Sequence, residues 1–381
     1  MDLTIQQGDL AFAVARALGS VPQKSAQPLL NCFLLEAEQG QLRITATDLD
    51  LTTSVSVPCA SQVPARVAVN AKHFNEVVRK MPRGILKLAM VKNQLEVSYG
   101  DKKGVSRFPV QKADEYPVPP ALKGDLKVTL PGETFARLVD RTSYAVSDEV
   151  TRQSLSGVYI HGTAKSIVFV ATDGHRLARA TCNGAFGDLS RDGVIVPARA
   201  LALMSRVAAD ATSPVEVRIA DGRAHTGFVA QVGEYRVQVT ARLLEGPYPN
   251  YEQVIPKDNP RQLSVSRSDL IEAVDIVASH ADSNTQQVRF SIQKDRLSVS
   301  SATNDYGSGE QHVEAEYTGD DMEIGYNARY LLQTLKNIPT EKVVFRLKTQ
   351  LSAGIVEPVG ALAQPEEELL CLVMPLRLPD A

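Results

Sequence analysis

The chain repeats itself. Three features recur in one order, about 125 residues apart, and a repeat of that period decides the architecture before any single element does. The first is a helix signal. Leu10, Val14, Ala17 and Leu18 follow Gly8-Asp9, Phe135, Leu138 and Val139 follow Pro131-Gly132-Glu133, and Leu270, Ala273, Val274 and Val277 follow Ser266-Arg267-Ser268-Asp269. Spacings of three and four put one apolar stripe on each helix, and the Ser and Asp residues suit a helix start. The second is a strand ending in a polar turn, at 42–48, 167–173 and 297–304, closing on Thr47-Asp48, Thr172-Asp173 and Thr303-Asn304. The third of these strands holds one extra residue, which predicts a β-bulge. The third feature is a second helix, opened by Val69-Asn70-Ala71-Lys72, Val196-Pro197-Ala198-Arg199 and Tyr326-Asn327-Ala328-Arg329. Asn or Pro suits those starts, and Pro82 and Pro339 stop the first and third copies.

Short alternating runs such as Leu86-Lys87-Leu88 and Val215-Glu216-Val217 read as strands with one buried face. Each unit is then two helices and many antiparallel strands, an α+β arrangement. The expected domains are 1–125, 126–258 and 259–381, with proline-rich linkers at Tyr116-Pro117-Val118-Pro119-Pro120 and at Gly246-Pro247-Tyr248-Pro249-Asn250-Tyr251. At 381 residues, two or three domains are the prior in any case.

Composition excludes several classes. No run approaches the roughly 18 apolar residues of a membrane helix. The first residues show neither a basic start nor an apolar core, so no signal peptide is expected. Cys32, Cys59, Cys182 and Cys371 are scattered and read as reduced thiols of a cytoplasmic protein. No cofactor motif or Gly-rich phosphate loop is found.

The net charge is -3, yet each second helix carries a basic pair seven residues apart: Lys72 with Arg79, Arg199 with Arg206, Arg329 with Lys336. Seven residues is nearly two turns, so each pair shares a face. Any one pair is an ordinary solvated surface. The same pair in three copies of an acidic chain fits a polyanion, read by its phosphates rather than its base sequence. Arg137 and Arg141 extend the pattern to the first helix of the second copy, but Glu272 and Ile276 stand at the matching third-copy positions.

The threefold unit, Ala-Thr-Asp-Gly-His-Arg-Leu-Ala at 171–178, Val-Ile-Val-Pro-Ala-Arg at 194–199, Met-Glu-Ile-Gly-Tyr-Asn at 322–327 and Val-Met-Pro-Leu-Arg-Leu at 373–378 together resemble the bacterial sliding clamp family, the β subunit of DNA polymerase III. The resemblance covers essentially the whole chain. It implies three clamp domains per subunit and a head-to-tail homodimer whose six domains ring duplex DNA, helices inside and sheets outside. It implies a processivity factor without catalysis or cofactor, which tethers polymerase and is opened by a loader that uses ATP. Size agrees. A ~125-residue domain is roughly 27 Å across, so six in a hexagon leave a hole of roughly 13 Å radius and three leave only a few Å. A duplex is about 20 Å wide.

The resemblance also implies a pocket for short peptides of polymerases, the loader and repair proteins. Its matching positions are Leu155, Thr172, Gly174, His175, Arg176, Leu177, Pro249, Val254, Val373, Met374, Pro375, Leu376 and Arg377. Met and Leu make an adaptable wall, and Arg176 and Arg377 are expected to meet peptide carbonyls or carboxylates at the rim. The alternative is that Met374 and Leu376 finish a core strand. Ser154 and Gln253 stand where the family often has larger residues, and Pro379-Asp380-Ala381 runs past the usual end. Lys24, Lys80 and Arg152 join the basic pairs and Arg137 and Arg141 as DNA-facing positions, and the Gly100-Asp101-Lys102-Lys103-Gly104 turn could add a contact. For the dimer seam the candidates are Arg107, Phe108 and Val110 against Ile276 and Val277.

Two other readings stand beside this one. Asp173 and His175 could act as the acid–base pair of a hydrolase. Against that, the sister turns Asp48-Leu49-Asp50 and Asn304-Asp305 have no His, and no convincing nucleophile is present. The repeat could also build a scaffold that never meets DNA.

Overall fold

The computed structural model describes residues 1–378 apart from 62, 101–102, 118–125, 150, 164 and 190–191. The 118–120 part of the first linker, Asp101-Lys102 and the Pro379-Asp380-Ala381 extension therefore lie outside the described residues.

Six α-helices are present among the described residues: α1 (Gln7–Ala17), α2 (Ala71–Lys80), α3 (Gly132–Ser143), α4 (Ala198–Ala209), α5 (Arg267–Ala278) and α6 (Ala328–Lys336). They are the two expected per copy. The side chains of Asn70, Ser266 and Asn327 accept hydrogen bonds from the amides of His73, Asp269 and Tyr330, capping α2, α5 and α6. The buried faces follow the apolar stripes, with Leu10, Ala13, Val14 and Ala17 on α1 and Leu270, Ala273, Val274 and Val277 on α5.

Packing groups the chain into two compact units. One holds Met1–Ala136, Gly187–Leu189 and Arg199–Leu243, and the other Arg137–Phe186, Ser190–Ala198 and Leu244–Ala381. Each is built on one antiparallel sheet. In the first unit Tyr235–Arg242, from the central third of the sequence, pairs with Leu51–Pro58, from the first third, setting Val239 opposite Thr53. In the second, Arg176–Asn183 pairs with Glu367–Val373, setting Ala178 opposite Cys371. Among the described residues, strand pairing thus crosses the boundaries of the repeat once in each unit.

The bulge expected in the third copy is absent. Arg296–Thr303 keeps one unbroken register with Gly307–Thr318, from Arg296 opposite Glu314 to Thr303 opposite Gly307. The extra residue lengthens the strand instead.

Candidate functional site

The turn after Ser166–Thr172 is built by its own side chains. Thr172 Oγ1 accepts from the Gly174 amide at 3.1 Å, and Asp173 Oδ1 accepts from the amides of His175 and Arg176 at 2.9 and 3.0 Å. Gly174 sits at φ +90°, where a Cβ is unfavourable. The first copy repeats the device. Thr47 Oγ1 accepts from Leu49 at 3.0 Å and Asp48 Oδ1 from Leu51 at 2.8 Å, with Leu49 at φ +83°. In the third copy Thr303 Oγ1 accepts from Tyr306 at 3.1 Å.

These bonds remove the hydrolase reading. Asp173 spends Oδ1 on two amides and Oδ2 on Arg176 Nε at 3.0 Å, and it meets His175 through the backbone amide. It is a structural carboxylate, as Asp48 is.

Arg176 belongs to the second copy alone, and its place corrects the expectation of a rim residue. It is 5% exposed. Its guanidinium bonds Asp173 and the Gln333 side chain and lies 5.4 Å from the Tyr144 ring centroid and 4.6 Å from that of Tyr330. A carboxylate, an amide oxygen and two ring faces satisfy it, so it props the turn from below. Below it the Tyr144 hydroxyl donates to Cys371 Sγ at 3.4 Å. Burial pushes the Cys371 thiol up to about 12 and holds the Tyr144 phenol well above its ordinary range.

His175 is exposed, and its ring stacks on Tyr330 at 6.1 Å and 19°. Tyr330 escaped the sequence reading, although His73 and Ala200 at the matching positions could have marked it as divergent.

The turn and the end of the chain form one surface. The Met374 amide donates to the His175 carbonyl at 2.8 Å, which carries the pairing of Arg176 with Val373 one step further. The strand then ends. Met374 is 39% exposed, Pro375 and Leu376 are half-buried and Arg377 is exposed, while Leu376 bridges back to Gly325. Met374 and Leu376 are therefore not the close of a core strand.

Pro249 and Val254 are exposed, the latter at 57%. Their loop is anchored by tyrosines the sequence reading did not assign. Tyr248 stacks on Tyr159 at 4.8 Å and 7°, and Tyr251 bonds His161 Nε2 at 2.9 Å. Both tyrosines pack with Val168, Val170, Leu177, Ile355, Leu370 and Leu372. Leu155 is nearly buried, Ser154 half-buried and Gln253 exposed. Leu177 and Val373 are fully buried, so they underlie this surface.

The basic positions divide. Lys24, Arg79, Arg206, Arg329 and Lys336 are exposed and carry no ion pair among the described residues. Lys72 is exposed and reaches the Gln23 carbonyl at 3.1 Å, and Lys80 pairs with Glu76 at 2.6 Å. Arg152 pairs with Glu149 at 3.0 Å and Arg199 with Asp48, both from solvent-exposed positions. Arg137 and Arg141 do not fit a DNA-facing role. Arg137 bonds Glu367 at 2.8 Å, and Arg141 is itself buried and holds the other oxygen of that fully buried carboxylate. One buried carboxylate needs both cations, so they are taken.

The expected seam residues divide too. Phe108 is buried, edge-on to Phe74 at 4.9 Å and 76°, and Val277 lies in the α5 core face. In the single chain both side chains are covered by its own core. Ile276 is 45% exposed, Arg107 is exposed beside Glu96, and Val110 is half-buried. Arg107 lies on Gly104–Gln111, whose residues from Gly104 to Pro109 have a hydrogen-bonded neighbour on one side only among the described residues. The same holds for Gly307–Thr318 from Gly307 to Glu314, which exposes Glu310 and Glu314.

Comparison with known proteins covers nearly the whole chain. Residues 1–120, 129–250 and 252–376 match the N-terminal, central and C-terminal domains of the DNA polymerase III beta subunit. The chain is 30% identical to a beta sliding clamp of Caulobacter vibrioides, over 99% of this chain and all of that one. It is 27% identical, with the same coverage, to the beta sliding clamp of Escherichia coli. Among solved structures, a DnaN sliding clamp of Bartonella birtlesii bound to griselimycin superposes with a TM-score of 0.92 at 27% identity, covering 99% of this chain and all of that one. The Caulobacter crescentus clamp does so at 0.90 and 29%, with the same coverage.

Proposed function

The chain belongs to the DNA polymerase III beta subunit family, the sliding clamps of bacterial DNA replication, and from that premise we propose which of its surfaces do the family's work. The family is a non-catalytic processivity factor. Its partners are DNA and polymerase.

Partner peptides dock on the surface formed by His175, Met374, Pro249 and Val254. The observation that carries this is the 2.8 Å bond from Met374 to His175, which holds an exposed Met beside an exposed turn. An exposed Met on a firm frame suits several partner sequences. Arg377 is the cation left for peptide carboxylates, since Arg176 is occupied.

Duplex DNA is held by Lys24, Arg79, Arg206, Arg329 and Lys336, with Lys72, Lys80, Arg152 and Arg199 beside them. All contact is with phosphate, so binding is indifferent to sequence and falls steeply with salt. Two subunits close a ring by joining the open strand edge at Gly104–Pro109 of one to that at Gly307–Glu314 of the other. Arg107 then faces Glu310 and Glu314, and Ile276 is covered. The clamp works in the cytoplasm.

The test is topological. After loading by the clamp loader, the protein is retained on nicked circular DNA and lost from the same DNA once linearised. Equal loss from both forms overturns the ring.

A further inference from the structure

The two places where a sheet crosses the repeat match strand for strand. Leu51 lies opposite Ala241 and Thr53 opposite Val239, as Arg176 lies opposite Val373 and Ala178 opposite Cys371. The Arg242 amide donates to the Asp50 carbonyl at 2.7 Å, as that of Met374 does to His175. The repeat offset that carries Thr47-Asp48 onto Thr172-Asp173 carries Gly19 onto Tyr144. The offset that carries Arg199 onto Arg329 carries Leu203 onto Gln333.

At the second crossing Tyr144 fills the space behind the strands, its hydroxyl on Cys371 and its ring beneath Arg176. At the first crossing that space is open. A cavity of about 340 Å³ lies there, walled by Leu18, Leu203, Val207 and Val239 and by the cations Arg16 and Arg206. Val239 is the counterpart of Cys371, so the cavity stands where Tyr144 stands in the other seam. A Cβ at Gly19 would meet the Leu203 side chain, so Leu203 must give way for a ring attached there.

The chemistry of the walls selects a ligand. The volume is within the range of small-molecule sites, roughly 300–1,000 Å³. Four aliphatic side chains favour a ring. The one wall hydroxyl, Thr53, is engaged by Ser20 Oγ at 2.7 Å and leaves a polar neutral molecule little to bond. Arg16 is paired with Asp210, but Arg206 is exposed and carries no ion pair among the described residues. A guanidinium at the wall of an apolar cavity favours a carboxylate or phosphate. We propose that this cavity binds a small aromatic anion, its ring placed as the Tyr144 ring is placed at the other crossing and its charge on Arg206. The inference stands apart from the peptide surface, which lies at the other crossing.

Titration calorimetry of the full-length protein with phenyl phosphate, phenol and inorganic phosphate tests it. Phenyl phosphate binds at least tenfold more tightly than either fragment, and Arg206→Gln weakens it about tenfold. The double variant Gly19→Tyr with Leu203→Gln, which installs the pair found at the second crossing, abolishes binding. Ala15→Phe narrows the same cavity from an exposed helical position and does so too, which keeps the test open if the double variant fails to fold. Equal affinity for inorganic phosphate overturns the proposal, because a general cationic patch then suffices. Undiminished binding to folded Ala15→Phe protein overturns it as well.

Discussion

The Met374 amide donates to the His175 carbonyl at 2.8 Å. Two stretches nearly two hundred residues apart in sequence meet there, and everything proposed for the peptide surface depends on their meeting. The bond uses backbone atoms only, so side chains on either stretch can change while the frame remains.

Met374 and Arg176 separate the surface from its support. Met374→Ala weakens a partner peptide about tenfold, roughly 1–2 kcal/mol as at other interface anchors, and leaves thermal stability unchanged. Arg176→Ala strands Asp173 and Gln333 and lowers folding stability by about 3 kcal/mol. Fluorescence anisotropy with a labelled peptide and urea unfolding measure the two effects. A stable Arg176→Ala protein would remove the propping role.

The subunit seam gives a contrast of the same kind. Ile276→Asp and Arg107→Glu shift the protein toward folded monomer in sedimentation equilibrium. Phe108→Asp, a core change, unfolds it instead, as circular dichroism reports. Folded Phe108→Asp monomer would return that residue to the interface.

Salt dependence sorts the cations. Each of Arg79→Gln and Lys336→Gln reduces the slope of log K against log salt for duplex binding by about 1. Arg141→Gln leaves that slope alone and costs stability, because its partner is Glu367.

His161 brings a pH effect. Burial lowers its pKa from the ordinary 6.5, with Tyr251 bonded to it at 2.9 Å. The folded state therefore takes up its proton less readily than the unfolded chain. Its contribution is complete above pH 6.5 and is lost as pH falls below that value. Thermal denaturation between pH 7.5 and pH 5.5 should show a decline that His161→Gln reduces. An unchanged decline in the variant would rule His161 out as its source.

Leu49 and Gly174 occupy one position of one turn, at φ +83° and +90°. Gly174→Ala costs about 1 kcal/mol. Leu49→Gly is neutral or stabilising by up to about 1 kcal/mol, since relief of the left-handed backbone outweighs the freedom gained by the unfolded chain. Differential scanning calorimetry reads both. A clear loss in Leu49→Gly would mean that the exposed leucine side chain makes a stabilising contact.

The elements were legible because the repeat states each of them three times. Apolar stripes, caps at Asn70, Ser266 and Asn327, and the Thr-Asp turns all stand in local sequence. Side-chain burial was less legible. Arg137, Arg141 and Arg176 look like surface cations in any window, and the approach of Glu367, Gln333 and Tyr330 from distant segments takes Arg141 and Arg176 out of solvent and ties Arg137 to a buried carboxylate. Phe108 and Ile276 look alike as apolar seam candidates for the same reason. Strand alternation and helical phase decide which of them faces inward, and the family pattern carried both over.

The pairing of Arg176–Asn183 with Glu367–Val373 has a consequence for synthesis. On the ribosome, Arg176–Asn183 emerges long before its neighbour exists, and its edge stays open until Glu367–Val373 has been made. The first unit closes far earlier, since Tyr235–Arg242 completes its long-range pairing. A nascent chain therefore carries one finished sheet and one exposed strand edge while the residues between Arg242 and Glu367 are made. A truncation that removes only the final strand leaves that edge open for good.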